Sequence, residues 1–188
     1  IPVEVFEQQL MQLQKLYDII PLDELCNRHQ KRKRTTKLAA ICFDDGYRNL
    51  IEQAIPVLNK YKIPATIFLT GRIIDDRMFW RDMVRELLRR EQVSNFLKFA
   101  KGKLPKLAAV QISKFYKASK NPLITDPMML EDLLKTFFKQ NAFDMPKEYG
   151  YISASEIKDY PGIVWGNHTY NHYPLSALSR KEQIHEIL

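Results

Sequence analysis

Val3, Phe6, Leu10, Leu13 and Leu16 recur at helical spacing and predict an amphipathic helix over 3–17. A short strand over 17–20 precedes Pro21, and 21–28 reads as a second, shorter helix. Within 37–43, the run Leu38-Ala39-Ala40-Ile41 has the continuous apolar character of a buried strand. From 49 to 61, Leu50, Ile51, Ala54, Ile55 and Leu58 share one helix face, with Pro56 placed to kink it. Pro64 opens the next strand, Ala65-Thr66-Ile67-Phe68-Leu69-Thr70, and Gly71 stops it. Two strands joined through a helix by short connections imply parallel pairing, a right-handed crossover and an α/β fold.

The pattern changes at about Ile74. From there to Tyr149 it is mostly helical, with helices expected over 78–90, 93–100, 107–116 and 127–138. These read as a helical insertion, 74–149, between the second and third core strands, its apolar stripes forming a small core of their own. Ser153-Ala154-Ser155-Glu156 has capping-box spacing, and a short helix is expected before Pro161-Gly162. Ile163-Val164-Trp165 then reads as a strand, and Ser179 caps a last helix over 180–188.

The length suits one domain, 1–188, with that insertion inside it. Without the insertion, too little chain remains for an eight-stranded barrel of about 250 residues. The expectation is therefore a small open sheet or a segment of a longer protein, incomplete at its C-terminus. No apolar run reaches the length of a membrane span. The formal net charge is +7, concentrated in Lys31-Arg32-Lys33-Arg34 and between Arg72 and Lys139. Such runs are read as solvated faces, with contact to an anionic membrane surface as the weaker reading. No zinc-knuckle, Walker-type or dinucleotide motif supports nucleic-acid or nucleotide chemistry. Cys26 and Cys42 show neither metal spacing nor a disulfide framework and are read as packing residues. The compartment and the oligomeric state are left open.

Two stretches carry chemistry. Cys42-Phe43-Asp44-Asp45-Gly46-Tyr47 follows the first strong strand. Adjacent carboxylates cannot sit unpaired inside a buried strand, so they belong at its C-terminal mouth, where parallel sheets place their chemistry. Taken alone, Asp-Gly reads equally well as a turn. The second stretch, Gly166-Asn167-His168-Thr169-Tyr170-Asn171-His172, ends the later strand. On a helix or helical turn, histidines four apart lie on one side and can hold one ion; a polar turn with two hydrogen-bonded histidines is the plainer alternative. Strand ends of one parallel sheet face the same way, so the aspartates and histidines can converge. One carboxylate and two imidazoles suit a divalent metal, with the second carboxylate left to act as a base. His29 and His185 have no such company and are read as surface residues.

Phe43-Asp44-Asp45-Gly46-Tyr47 resembles the first motif of the polysaccharide deacetylase (NodB-like) family, carbohydrate esterase family four. Gly166 to His172 resembles its second motif. Pro64 to Leu69 is similar to the family's second core strand, and Leu178 to Ile187 to the helix after the histidines. The resemblance covers about 4–71 and 150–188 and leaves out the insertion. It implies a partial or deformed (β/α) barrel and a divalent metal, zinc foremost, with cobalt or nickel as alternatives. By the same resemblance Asp45, His168 and His172 are the metal ligands. Asp44 is the general base that activates water against the N-acetyl group of an amino sugar, so the expected substrate is an N-acetylated glycan. Tyr47 and Thr169 stand near the site without an assigned role.

Three later motifs of the family, carrying an arginine, an aspartate and a late histidine, are not found after His172 in this sequence. His185 comes too early to replace that histidine. Competing readings are a non-catalytic module binding glycan or a partner, and a hydrolase of other C–N bonds or of acetyl esters.

Overall fold

The computed structural model describes residues 1–74, 79–144 and 150–188. The chain forms two compact units: Ile1–Asp76 with Gly150–His168, and Arg77–Tyr149 with Thr169–Leu188. The segment 169–188 thus groups with the helices read as an insertion.

In the first unit, helix α1 (Val3–Leu16) leads to strand β1 (Asp18–Ile19) and helix α2 (Leu22–Gln30). The strand expected over 37–43 is split at Ala40 into β2 (Leu38–Ala39) and β3 (Ile41–Phe43). The split marks a change of partner. β2 pairs in parallel with β1, and β3 pairs in parallel with β4 (Ala65–Leu69). β4 pairs in turn with β5 (Ile163–Asn167), giving a parallel sheet of order β3-β4-β5. Among the described residues no barrel is closed; the architecture is helices with parallel sheets.

Between β3 and β4 the helix opens with a π-helical turn, Leu50–Ala54, before α3 (Ile55–Lys60). The Ile55 N–H donates to the Leu50 carbonyl, five residues back, and Pro56 has no N–H to continue the ladder from the preceding turn. The kink expected at Pro56 is therefore a widened turn. Gly71 does not end the structure; it starts the short helix α4 (Gly71–Ile74).

β4 is the buried centre of this unit. Ile67 is fully enclosed, a burial that contributes about 1.5–3 kcal/mol. It packs with Leu50, Ile55, Leu69 and Ile152, while Ala65 packs with Leu10, Val57, Leu58 and Ile63. β3 is an edge strand, and Cys42 on it is exposed. Cys26 is exposed as well, so neither cysteine is the packing residue expected from composition.

The second unit contains α5 (Trp80–Arg89), α6 (Val93–Ala100), α7 (Pro105–Ala108), α8 (Phe115–Ala118), α9 (Pro127–Gln140) and α10 (Arg180–Ile187). Asp126 caps α9 by accepting the Met129 N–H at 2.8 Å, with Pro127 in the first turn. Phe96 stacks edge-on against Phe115 and Phe137, with centroids 5.9 and 5.5 Å apart.

The single helix expected over 107–116 is not formed. α7 ends at Ala108, Gln111 is extended, and a 3₁₀ turn (Ile112–Lys114) leads into α8. No side chain between Leu107 and Phe115 is buried, so nothing packs a continuous helix there, and short unpacked helices are marginal. Met78, expected to start α5, and residue 149, the far edge of the proposed insertion, lie outside the described residues, whereas its near edge, Ile74, ends α4. Among the described residues no helix is long and apolar enough to cross a membrane.

Candidate functional site

The two motif loops of the first unit follow the two outer strands, β3 and β5, of one parallel sheet. β4 lies between them and ties both down. The Thr70 N–H donates to the Asp45 carbonyl at 3.0 Å, and the His168 N–H donates to the Leu69 carbonyl at 2.8 Å. One stretch of backbone, Leu69-Thr70, therefore sets the height of both residues. The Asp45 carboxylate Oδ1 lies 3.9 Å from His168 Nε2, with both side chains partly shielded from solvent.

The first loop is fixed from three further directions. Gly46 takes φ +104°, and a Cβ built there would lie 2.8 Å from Leu69 Cδ2. A side chain is excluded both by backbone conformation and by space. The Gly46 carbonyl accepts the Ile152 N–H at 3.0 Å, and the Arg48 N–H donates to the Gly150 carbonyl at 2.9 Å. The Arg48 guanidinium reaches Glu156 Oε1 at 2.5 Å and the Tyr151 carbonyl at 2.9 Å. The backbone N–H of Ser153, then its hydroxyl and Arg48, hold the Glu156 carboxyl below the usual carboxylate range. These bonds complete the expected capping box, although the turn it starts is only three residues of 3₁₀ helix.

Asp45 itself has φ 73°, in the left-handed region that non-glycine residues seldom occupy. Such conformations persist where the surroundings enforce them, often at functional sites. Asp44, just past β3, is exposed. Gly166 on β5 faces Phe68 on β4; a Cβ there would come within 2.6 Å of the Phe68 ring.

The histidine stretch is not helical. His168 directly follows β5, and the residues from there to Pro174 form an irregular loop with Thr169 and His172 at φ 68° and 60°. His172 belongs to the second unit. Its N–H donates to Thr169 Oγ1 at 3.1 Å, which places Thr169 as a support of the loop. Glu186 on α10, only 3% exposed, accepts the Asn171 N–H at 2.8 Å and its side-chain amide at 2.6 Å. The Glu186 carbonyl accepts the Tyr170 N–H. Trp80 Nε1 donates to the Asn171 carbonyl at 3.2 Å.

The sequence reading missed the roles of Glu186 and Trp80. Periodicity is a poor guide on α10, where Ile184 and Ile187 are about half exposed while Glu186 is buried. His29 and His185 are exposed, as expected.

A carboxylate oxygen and an imidazole nitrogen are suitable donors for a divalent metal. Their 3.9 Å separation is somewhat wider than the about 3.4 Å between ligands of a tetrahedral zinc ion, a gap that a small side-chain movement closes. The residues present thus fit a metal.

Comparison with known proteins gives this geometry a context. The family profile described as Polysaccharide deacetylase matches residues 31–96. Poly-beta-1,6-N-acetyl-D-glucosamine N-deacetylase of Staphylococcus aureus (strain MSSA476) is 30% identical over 158 residues, covering 81% of this chain and 54% of the relative. The chain belongs to the polysaccharide deacetylase family. The same protein from strain MRSA252 is 29% identical over 158 residues, with equal coverage. The candidate polysaccharide deacetylase YxkH of Bacillus subtilis (strain 168) is 47% identical over 45 residues, 24% of this chain and 16% of that relative. No solved structure matches.

The chain spans about half the length of the Staphylococcus relatives it matches. The family match also runs past Gly71 to residue 96, through α5 and to the end of the Phe96 turn of α6. The motif resemblance stopped at 71, so the likeness reaches further into the helical segment than the motifs alone indicated.

Proposed function

We propose that this chain is part of a metal-dependent hydrolase that removes N-acetyl groups from the amino sugars of a polysaccharide. The observation that carries the reading is the approach of Asp45 to His168 past the ends of the two strands that flank β4, both fastened to Leu69-Thr70. The relatives' names, which describe N-deacetylases of an N-acetylated polysaccharide, support the substrate class. In this reading the sheet is part of a deformed (β/α) barrel, and 74–149 is an insertion within one catalytic domain.

Asp45, His168 and His172 would hold the metal: one carboxylate and two imidazoles, a donor set suited to zinc, with cobalt or nickel as substitutes. When bound, such an ion supplies acidified water and polarises a carbonyl oxygen. Asp44, exposed beside the ligand Asp45, accepts a proton from the attacking water. Water oxygen adds to the acetyl carbon, the C–N bond breaks as the departing nitrogen takes up the proton that Asp44 removed from the water, and a free amine and acetic acid, which ionises to acetate, result. Leu69-Thr70 keeps Asp45 and His168 in place while this happens.

The test is elemental analysis of the purified chain beside Asp45→Ala and a His168→Ala, His172→Ala double variant. Near-stoichiometric zinc or a similar ion in the parent, lost in both variants, supports the reading. A parent that takes up no zinc or cobalt on incubation overturns it.

A further inference from the structure

Between the histidine loop, α10 and the start of α9, all in the second unit, lies a cavity of about 370 Å³, a size usual for small-molecule pockets. Met128, Tyr173 and Leu178 supply its apolar wall, and Asn171, Lys181 and His185 its polar one.

Asn171 decides what the cavity can take. It is 7% exposed, and all its polar groups but one are engaged within the unit. Glu186 accepts its N–H and its side-chain amide, and its carbonyl accepts from Trp80. A carboxylate can only accept, so the NH₂ end of the amide must face Glu186. The remaining atom, Oδ1, is buried and accepts no hydrogen bond among the described residues. Leaving a buried acceptor unpaired is costly, so such a group calls for a donor.

The walls select among donors. Two carboxylates, Glu182 and Glu186, stand with the orphaned carbonyl oxygen against an anion, and the Lys181 ammonium stands against a cation. A neutral ligand with hydroxyls on its rim and C–H groups on its faces suits both walls. Its hydroxyls meet Asn171 Oδ1, Lys181 and His185, and its C–H groups meet Met128, Leu178 and Tyr173. A pyranose has this make-up.

We propose that this cavity is a carbohydrate subsite that takes one pyranose unit of a glycan, with a sugar hydroxyl donating to Asn171 Oδ1. The choice of glycan rests on the function proposed above, while the lining residues are none of the proposed ligands or the base.

The test uses the whole chain with a chelator present, so that no metal-dependent binding or turnover contributes. A trimer of β-1,6-linked N-acetylglucosamine, the sugar in the relatives' name, is titrated in. The side-chain carbonyl carbon of Asn171 and the ring of His185 are followed by NMR, and both should shift together and saturably. The double variant Lys181→Met, His185→Phe keeps a ring beside Tyr170, which lies 5.9 Å from His185 between centroids. It removes two polar contacts to the sugar and should weaken binding about tenfold to a hundredfold, with an unchanged far-UV spectrum. Absence of any shift at millimolar sugar overturns the proposal. So do shifts that glycerol reproduces at the same concentration, and so does a double variant that binds as tightly as the parent. A chain that takes up no zinc yet shows the saturable shifts overturns the metal-dependent reading and keeps the subsite. A chain that takes up zinc and shows no shift does the reverse.

Discussion

The backbone N–H of His168 donates to the carbonyl of Leu69, at 2.8 Å, and so carries the β5 pairing one residue past the strand itself. The next residue of β4's exit, Thr70, does the corresponding service for Asp45 on the other side. Both candidate ligands of the first unit are thus placed by backbone hydrogen bonds, which do not depend on the rotamer of any neighbour.

Gly46→Ala should destabilise the first unit by about 2–4 kcal/mol, from a strained positive φ together with overpacking against Leu69. Urea unfolding measures it. Adding Leu69→Ala to this variant relieves the contact and not the strain, so the two losses should combine to less than their sum.

Asp44→Asn removes a base without removing a proposed ligand. Zinc content should match the parent's, while acetate release from an N-acetylated glycan by the full-length protein should fall about 10²–10⁴-fold. Equal loss of metal and activity would move Asp44 into the ligand set.

Glu186→Ala leaves the Asn171 N–H and amide, both buried, without their acceptor. A cost of about 1–3 kcal/mol is expected for each polar group stranded in this way. Amide hydrogen exchange at Asn171 should rise well before global unfolding; unchanged protection would show that the loop is held elsewhere.

Glu86 is buried on α5, and Arg89, then Arg90, hold its carboxyl below the usual range despite the opposing effect of burial. A depressed folded-state value means that the stabilisation is complete above about pH 4.5 and is lost as pH falls through the lower, folded value. The urea midpoint of the parent should therefore drop on acidification below pH 4.5 more steeply than that of Glu86→Gln.

Elements with a strong period were legible in the sequence because burial enforces them. Val93–Ala100 has the expected bounds, and the strands around Asp44-Asp45 and before His168 are where the apolar runs place them. The break at Ala40 was not legible, since the switch of β2 and β3 to different partners depends on chain far away in sequence. The spacing of the histidines left a helical turn and a polar turn both open, and positive φ at Thr169 and His172 with the buried Glu186 give the loop its non-helical shape. The contact of Arg81 with His172 gave no signal, because one more arginine in a basic helix carries no mark of its partner.

Hanging two loops from one stretch of strand has a mechanical consequence. Sliding or tilting of β4 carries Asp45 and His168 in the same direction, so their separation is insensitive to motion of the sheet as a whole. What would change that separation is shear between β4 and one edge strand. The close fit of Gly166 over Phe68 and of Gly46 over Leu69 obstructs that sliding on either side. The two glycines act as detents: each leaves a notch into which a side chain of the central strand fits, locking the edges in step.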